Sequence, residues 1–252
     1  MKYVVNKNYL SAQEFLTDCI IHFDTKGEDF GNQKRNALKL FKFEAETLNF
    51  KSFKVPNIVN QIAYKFFRKS KAQRSYEYAS KLKSLGINTP DPIAYYEFST
   101  PFLFKKSYYI SAQLECDLTY RELTRDLNYP DHEAILRAFT RFTYKLHESH
   151  IKFLDHSPGN TLIKKVGEAY EFYLVDLNRM EFKAMSFEER IKNFSRLTTH
   201  KSIVKTMSDE YAKVSGEDFN AVFSLMWMET EAFQEKSKNK KALKKKLKFW
   251  KN

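Results

Sequence analysis

The apolar residues of this chain change period along its length, and that order restricts the folds open to it. Residues 1–55 read as strand-rich, with a turn-forming stretch over 24–32 that holds Gly27 and Gly31. Residues 37–43 alternate with the period of a half-buried strand, at Leu38, Leu40 or Phe41, and Phe43, and 48–53 repeat the pattern before Pro56, which predicts a hairpin. Residues 57–85 then turn helical, with Ala72, Tyr76, Ala79 and Leu82 at spacings of four and three and Gly86 as the stop. Strands follow over 92–98 and 107–114. A long helix should begin after Asp131, its expected N-cap, with Ile135, Phe139, Phe142 and Leu146 on one face. Beyond Asn178 the pattern is mostly helical. Such segregation predicts an α+β protein with a small sheet-rich lobe, one main helix and a larger helical lobe.

Composition allows this and removes alternatives. In 252 residues, 42% are hydrophobic and 16% aromatic, which excludes a disordered chain. Cys19 and Cys116 make no disulfide framework, which points to a reducing compartment. The first residues lack the apolar run of a signal peptide, and no stretch has the ~18 apolar residues of a membrane span. A cytoplasmic protein, or one resting on the cytosolic face of a membrane, is expected. The net charge of +12 is concentrated: residues 236–252 carry nine Lys and no acid, leaving about +3 for the rest. Leu243, Leu247 and Trp250 would share one side of a helix there, a pattern suited to an anionic membrane surface. A solvated tail is the plain alternative. Nucleic acid is disfavoured, since no stacking motif or recognition helix accompanies the charge.

Candidate chemistry lies between His147 and Arg179. A short strand over 151–154 leads into Asp155, with Asn160 five residues later, and a strand over 172–175 ends on Asp176. The two carboxylates are expected at the ends of neighbouring strands. An Asp and an Asn offer the hard oxygens that Mg²⁺ prefers, and a second Asp can deprotonate an attacking hydroxyl. His150 and His156 flank Asp155, either as substrate contacts or as loop residues satisfied by the backbone.

Asp155, Asn160 and Asp176-Leu177-Asn178 resemble the catalytic and metal-binding loops of the protein-kinase-like fold. Phe153-Leu154 replaces the His-Arg that precedes the catalytic Asp in protein kinases, and no GxGxxG is present; backbone amides over 31–36 are the expected phosphate cover. More closely, residues 70–77, 86–94, 155–160, 175–179 and 193–197 resemble the bacterial lipopolysaccharide kinases of the Kdo/heptose (WaaP-type) family. The resemblance spans about 35–197. It implies Asp155 as catalytic base, Asn160 and Asp176 as Mg²⁺ ligands, and Lys51 paired with Glu77 at the ATP phosphates, with Lys54 as the runner-up on the opposite strand face. It places adenine near Gln113, Glu115 and Cys116. The expected domains are a nucleotide lobe over 1–115, a helical lobe over 116–235 and a basic tail over 236–252. The implied activity is ATP-dependent phosphorylation of an inner-core sugar on lipid A, Kdo first and heptose next. The competing readings are a pseudokinase scaffold and a kinase for small soluble alcohols.

Overall fold

The computed structural model describes residues 1–33 and 36–249, side chains from 245 onward excepted. Two compact units divide it. The first comprises residues 1–115 with 174–179, and the second 116–173 with 180 onward.

The first unit is built on a six-stranded sheet in the order β1-β5-β6-β4-β3-β2. The strands are β1 (Lys2–Val5), β2 (Glu28–Phe30), β3 (Asn36–Phe43), β4 (Glu46–Phe53), β5 (Pro92–Ser99) and β6 (Phe104–Ala112). The expected hairpin is β3–β4, in antiparallel register from Asn36↔Phe53 to Phe43↔Glu46. Alternation decides what each sheet face carries. Leu48 and Phe50 point into a core shared with Phe41, Ile93, Tyr96 and Ile110. Lys51 and Phe53 take the other face, where Phe53 packs with Tyr95 and with Ala72 of α3 (Lys71–Ser84).

The N-terminal region corrects the strand-rich expectation. After β1 come a 3₁₀ segment, Lys7–Ala12, and helix α1, Gln13–Ile21. Ala12, Leu16, Cys19, Ile20 and Phe23 recur with a helical period and are all buried on the sheet. The predicted helix over 57–85 is two helices, α2 (Ile58–Phe66) and α3, because Ser70 caps a new start by accepting from Gln73 N at 3.0 Å. Gly27 is required by its turn: its φ is +82°, and a Cβ there would lie within 3 Å of the Phe41 ring.

The second unit carries β7 (Leu118–Thr119), α4 (Tyr120–Arg125), α5 (His132–Glu148), β8 (Ile151–Phe153), β9 (Thr161–Val166), β10 (Ala169–Leu174), β11 (Met180–Phe182), α6 (Phe187–Lys192), α7 (Lys201–Ser215) and α8 (Phe219–Phe249). Ile135 and Phe139 of α5 meet Val204, Met207 and Tyr211 of α7 and Val222 and Met226 of α8 in one core. Asp131 stands at the start of α5 but does not cap it. Its φ is +57°, and its carboxylate instead accepts from Tyr170 Oη at 2.6 Å and Lys165 Nζ at 3.1 Å, tying α5 to β9 and β10.

The strands before the two aspartates are not neighbours. β8 pairs with β11, Met180 opposite Phe153 and Phe182 opposite Ile151, while β10 lies beside β9. The chain turns back after Asn178, and β11 takes the place beside β8 that β10 was expected to fill. The basic residues after 236 continue α8 without a break as far as Phe249. Trp250, Lys34 and Arg35, hence part of the expected phosphate cover, lie outside the described residues, as does the Leu247 side chain. Among the described residues no helix is long and apolar enough to cross a membrane.

Candidate active site

In the first unit, β4 presents Lys51 and the returning segment 174–179 presents Asp176. Lys51 Nζ lies 2.6 Å from Asp176 Oδ1, which also accepts from Asn178 Nδ2 at 2.9 Å. Asp176 has a φ of +60°, a left-handed conformation that Asp tolerates better than most residues and that occurs where a side chain must be aimed. The segment is fastened on its near side. Leu174 N donates to Asn88 O at 3.1 Å, and the buried Thr89 hydroxyl donates to Leu174 O at 2.8 Å. Asn88 and Thr89 therefore position Asp176, a role for the 86–94 motif that only the fold reveals.

The expected Lys51–Glu77 pair does not form. Glu77 accepts from Lys69 Nζ at 2.8 Å and from Gln73 Nε2, one helical turn away, at 2.9 Å. A carboxylate already holding a cation and an amide gains little from a second cation, and Asp176 neutralises Lys51 instead. Lys54 lies just past the end of β4 and is exposed.

Cross-strand partners share a sheet face, so Leu38, opposite Lys51, and Leu40, opposite Asn49, lie on the Lys51 face. An open cavity of about 660 Å³ borders that face, lined among others by Glu28, Phe30, Leu40, Thr47, Gln113 and Glu115. Gln113 is held there by donating its backbone N–H to Thr47 O at 2.8 Å and accepting from Asn49 Nδ2 at 2.7 Å. Cys116 begins the second unit; burial and the nearby Asp117 and Glu122 charges push its thiol pKa up, so it is a poor nucleophile.

In the second unit, the loop after β8 carries Asp155, His156 and Asn160. Asn160 Nδ2 donates to Asp155 O at 2.8 Å, closing the turn and tying the amide down by its nitrogen. Arg196, after α6, donates through Nη1 to Leu154 O at 2.7 Å and to Asp155 Oδ1 at 2.9 Å. Asn193 Nδ2 adds a bond to Phe153 O at 2.9 Å. The sequence offers Asn193 and Arg196 only as parts of a motif; their grip on the loop is visible in the fold.

The His156 ring is turned inward, away from both expected roles. It is fully buried among the rings of Phe139, Phe153 and Phe194, and neither ring nitrogen has a hydrogen-bond partner among the described residues. It anchors the loop from beneath Asp155. His150 is exposed with a φ of +56°, and its carbonyl accepts from Lys183 N at 2.8 Å.

Asp176 in the first unit and Asn160 in the second each carry a hard oxygen of the kind Mg²⁺ takes from protein. Lys51 supplies a point charge of the kind that binds phosphate.

The family model described as "Lipopolysaccharide kinase (Kdo/WaaP) family" matches residues 41–224. No curated protein sequence matches the chain. Among solved structures the chain is similar to "WaaP in complex with acyl carrier protein", with a TM-score of 0.63 and 13% identity, covering 93% of this chain and 99% of that one. That likeness shows the fold: α+β and protein-kinase-like, with an antiparallel sheet-rich N-terminal part. The family match covers most of the chain, which belongs to the lipopolysaccharide kinase (Kdo/WaaP) family.

Proposed function

We propose that this lipopolysaccharide kinase family member transfers the γ-phosphoryl group of ATP to a hydroxyl of an inner-core sugar on lipid A, Kdo before heptose. The observation that carries the reading is the 2.6 Å pair of Lys51 and Asp176, which couples a strand cation to the carboxylate the resemblance assigns to metal. Asp155 would accept the proton of the attacking hydroxyl as the new P–O bond forms. Arg196 and Asn160 keep its loop in one conformation, so the carboxylate need not reorganise during the reaction. Lys51 would exchange Asp176 for the nucleotide phosphates. Asp176 and Asn160 would hold Mg²⁺, whose contribution when bound is to neutralise charge on the phosphates. Gln113, Glu115 and Cys116 are the proposed adenine contacts.

The unformed Lys51–Glu77 pair favours a second reading, a nucleotide-binding scaffold without turnover. One experiment separates the two. With γ-labelled ATP, Mg²⁺ and purified Kdo-lipid A, the wild type should label the lipid. Asp155→Asn should lower transfer by at least about 10³-fold while nucleotide affinity stays within about twofold. Label in the wild-type reaction that persists in Asp155→Asn would remove Asp155 from the role of base. No label on Kdo-lipid A or its heptosylated form, with nucleotide still bound, would favour the scaffold.

A further inference from the structure

Helix α2 is amphipathic the wrong way round for a soluble surface. Its N-cap Asn57 accepts from Asn60 N at 3.0 Å, so the helix is properly started, yet none of its residues is buried. Ile58, Val59, Ile62 and Phe66 are 62%, 71%, 43% and 55% exposed, and at 3.6 residues per turn they fall within an arc of about 100°. Asn60, Gln61, Ala63, Tyr64 and Lys65 are the half-buried residues instead, and Gln61 Nε2 donates to Pro56 O at 2.9 Å. Phe67, just past the helix, is 81% exposed. The turn between β5 and β6 stands beside α2, joined to it by Lys65 Nζ–Ser99 Oγ at 3.1 Å and by the Tyr64 and Phe104 rings, and it carries Phe102 at 74% exposure. A run of outward apolar side chains on this scale marks an interaction surface.

Charge says what covers it. From Lys54 to Arg74 the chain holds Lys54, Lys65, Arg68, Lys69, Lys71 and Arg74 and no Asp or Glu. Lys69 is engaged by Glu77; Lys54, Arg68 and Lys71 are exposed. A second copy of this surface would bring like charges together around the apolar arc, which opposes self-association. Phe66, Phe67 and Phe102 are each more than half exposed, which leaves their rings open to an apolar partner. An apolar arc edged by cations suits the interface of an anionic bilayer, with aromatic side chains among the acyl chains and ammonium groups at the phosphates.

We infer that α2, with Phe67 and Phe102, is a membrane-docking face that inserts shallowly into an anionic lipid surface. It is separate from the basic part of α8 and independent of which sugar is phosphorylated. The test is co-sedimentation of the full chain with vesicles of phosphatidylcholine, with and without about 30 mol% phosphatidylglycerol as the anionic lipid. Wild type should partition to the anionic vesicles, and Val59→Asp/Phe67→Asp should weaken that partition by about tenfold or more. Both side chains are largely exposed, so the melting temperature should not move. A Lys238→Glu/Lys241→Glu variant in α8 reads the other basic region separately. Equal partition of wild type and the α2 variant, or loss of binding only in the α8 variant, would overturn the inference. So would a wild type that ignores anionic vesicles yet forms a dimer, or binds a protein, through α2. Phosphoryl transfer to a detergent-dispersed acceptor should stay at the wild-type level in the α2 variant, so a failed docking face and a failed kinase reading give different results.

Discussion

Arg196 bonds one carbonyl and one carboxylate with the same nitrogen, and its guanidinium also lies 5.6 Å from the Phe233 ring centroid. The side chain is therefore fixed at both ends of the contact, and Asp155 inherits that order. Arg196→Gln keeps a donor but loses the charge and the reach. If Asp155 is the base, as proposed, turnover should fall by about 10- to 100-fold with the KM for ATP unchanged, because Arg196 would position it without holding phosphate. Steady-state kinetics distinguish this from general loosening, which would raise KM as well. In the first unit, Asp176 Oδ1 is engaged by Lys51 and Asn178. Under the proposed function, this carboxylate would release Lys51 to phosphate and take a metal in its place.

At the scale of elements, the last turn of α5 and the loop after β8 carry two buried histidines. His147 lies against Tyr211 Oη at 3.0 Å, and burial draws its pKa down to about 4; burial draws His156 down to about 3. Both stay neutral in the folded chain, whereas an unfolded histidine titrates near 6.5. Below that value the unfolded state binds protons that the folded state refuses. The stabilisation is complete above pH 6.5 and is lost as pH falls toward the folded values, by about 2 kcal/mol for each histidine at pH 5. Glu189, drawn down to about 2 by Lys152 and Lys183, contributes at lower pH, where its stabilisation goes as pH falls through and below the ordinary glutamate range. Urea midpoints at pH 7.5 and 5 should therefore differ in the wild type, and His156→Leu should remove about half of the difference. A midpoint flat over that range would contradict the burial argument. These elements also show what local pattern can convey. The face of α5 was legible because Ile135, Phe139 and Leu146 keep one period and are all buried. The period of α1 is equally present in Leu16, Cys19, Ile20 and Phe23, but it sits between the β1 strand signal and the turn at 24–32, which obscure it locally.

For the whole molecule, a nucleotide that binds only the folded chain should raise its melting temperature. At a ligand concentration of about 100 Kd the gain is ~2.7 kcal/mol, a shift of a few degrees for a chain of this size. Scanning calorimetry with ATP and Mg²⁺ should show it. Asp176→Asn should lose the part of the shift that depends on Mg²⁺ and keep the part that does not. A shift indifferent to Mg²⁺ in the wild type would take the metal role away from Asp176.

What the sequence determined by itself was the chemistry that travels with short segments. Asp155 and Asn160 are five residues apart, so one turn suffices to join them, as the Asn160–Asp155 bond shows. The order of strands and helices likewise followed from periods of two and 3.6, which any local stretch displays. Partner choice was different. Whether Lys51 meets Glu77 or Asp176 depends on groups 26 and 125 residues away, and nothing in either segment ranks them. The outcome rests on Asn88 and Thr89 fastening Leu174, on Lys69 and Gln73 occupying Glu77, and on β11 returning to pair with β8. The same holds for α2, whose composition reads as an ordinary helix and whose apolar side is turned outward only by the way the unit packs. Contacts of long sequence separation are fixed by closing the chain on itself, and that step belongs to the tertiary structure alone.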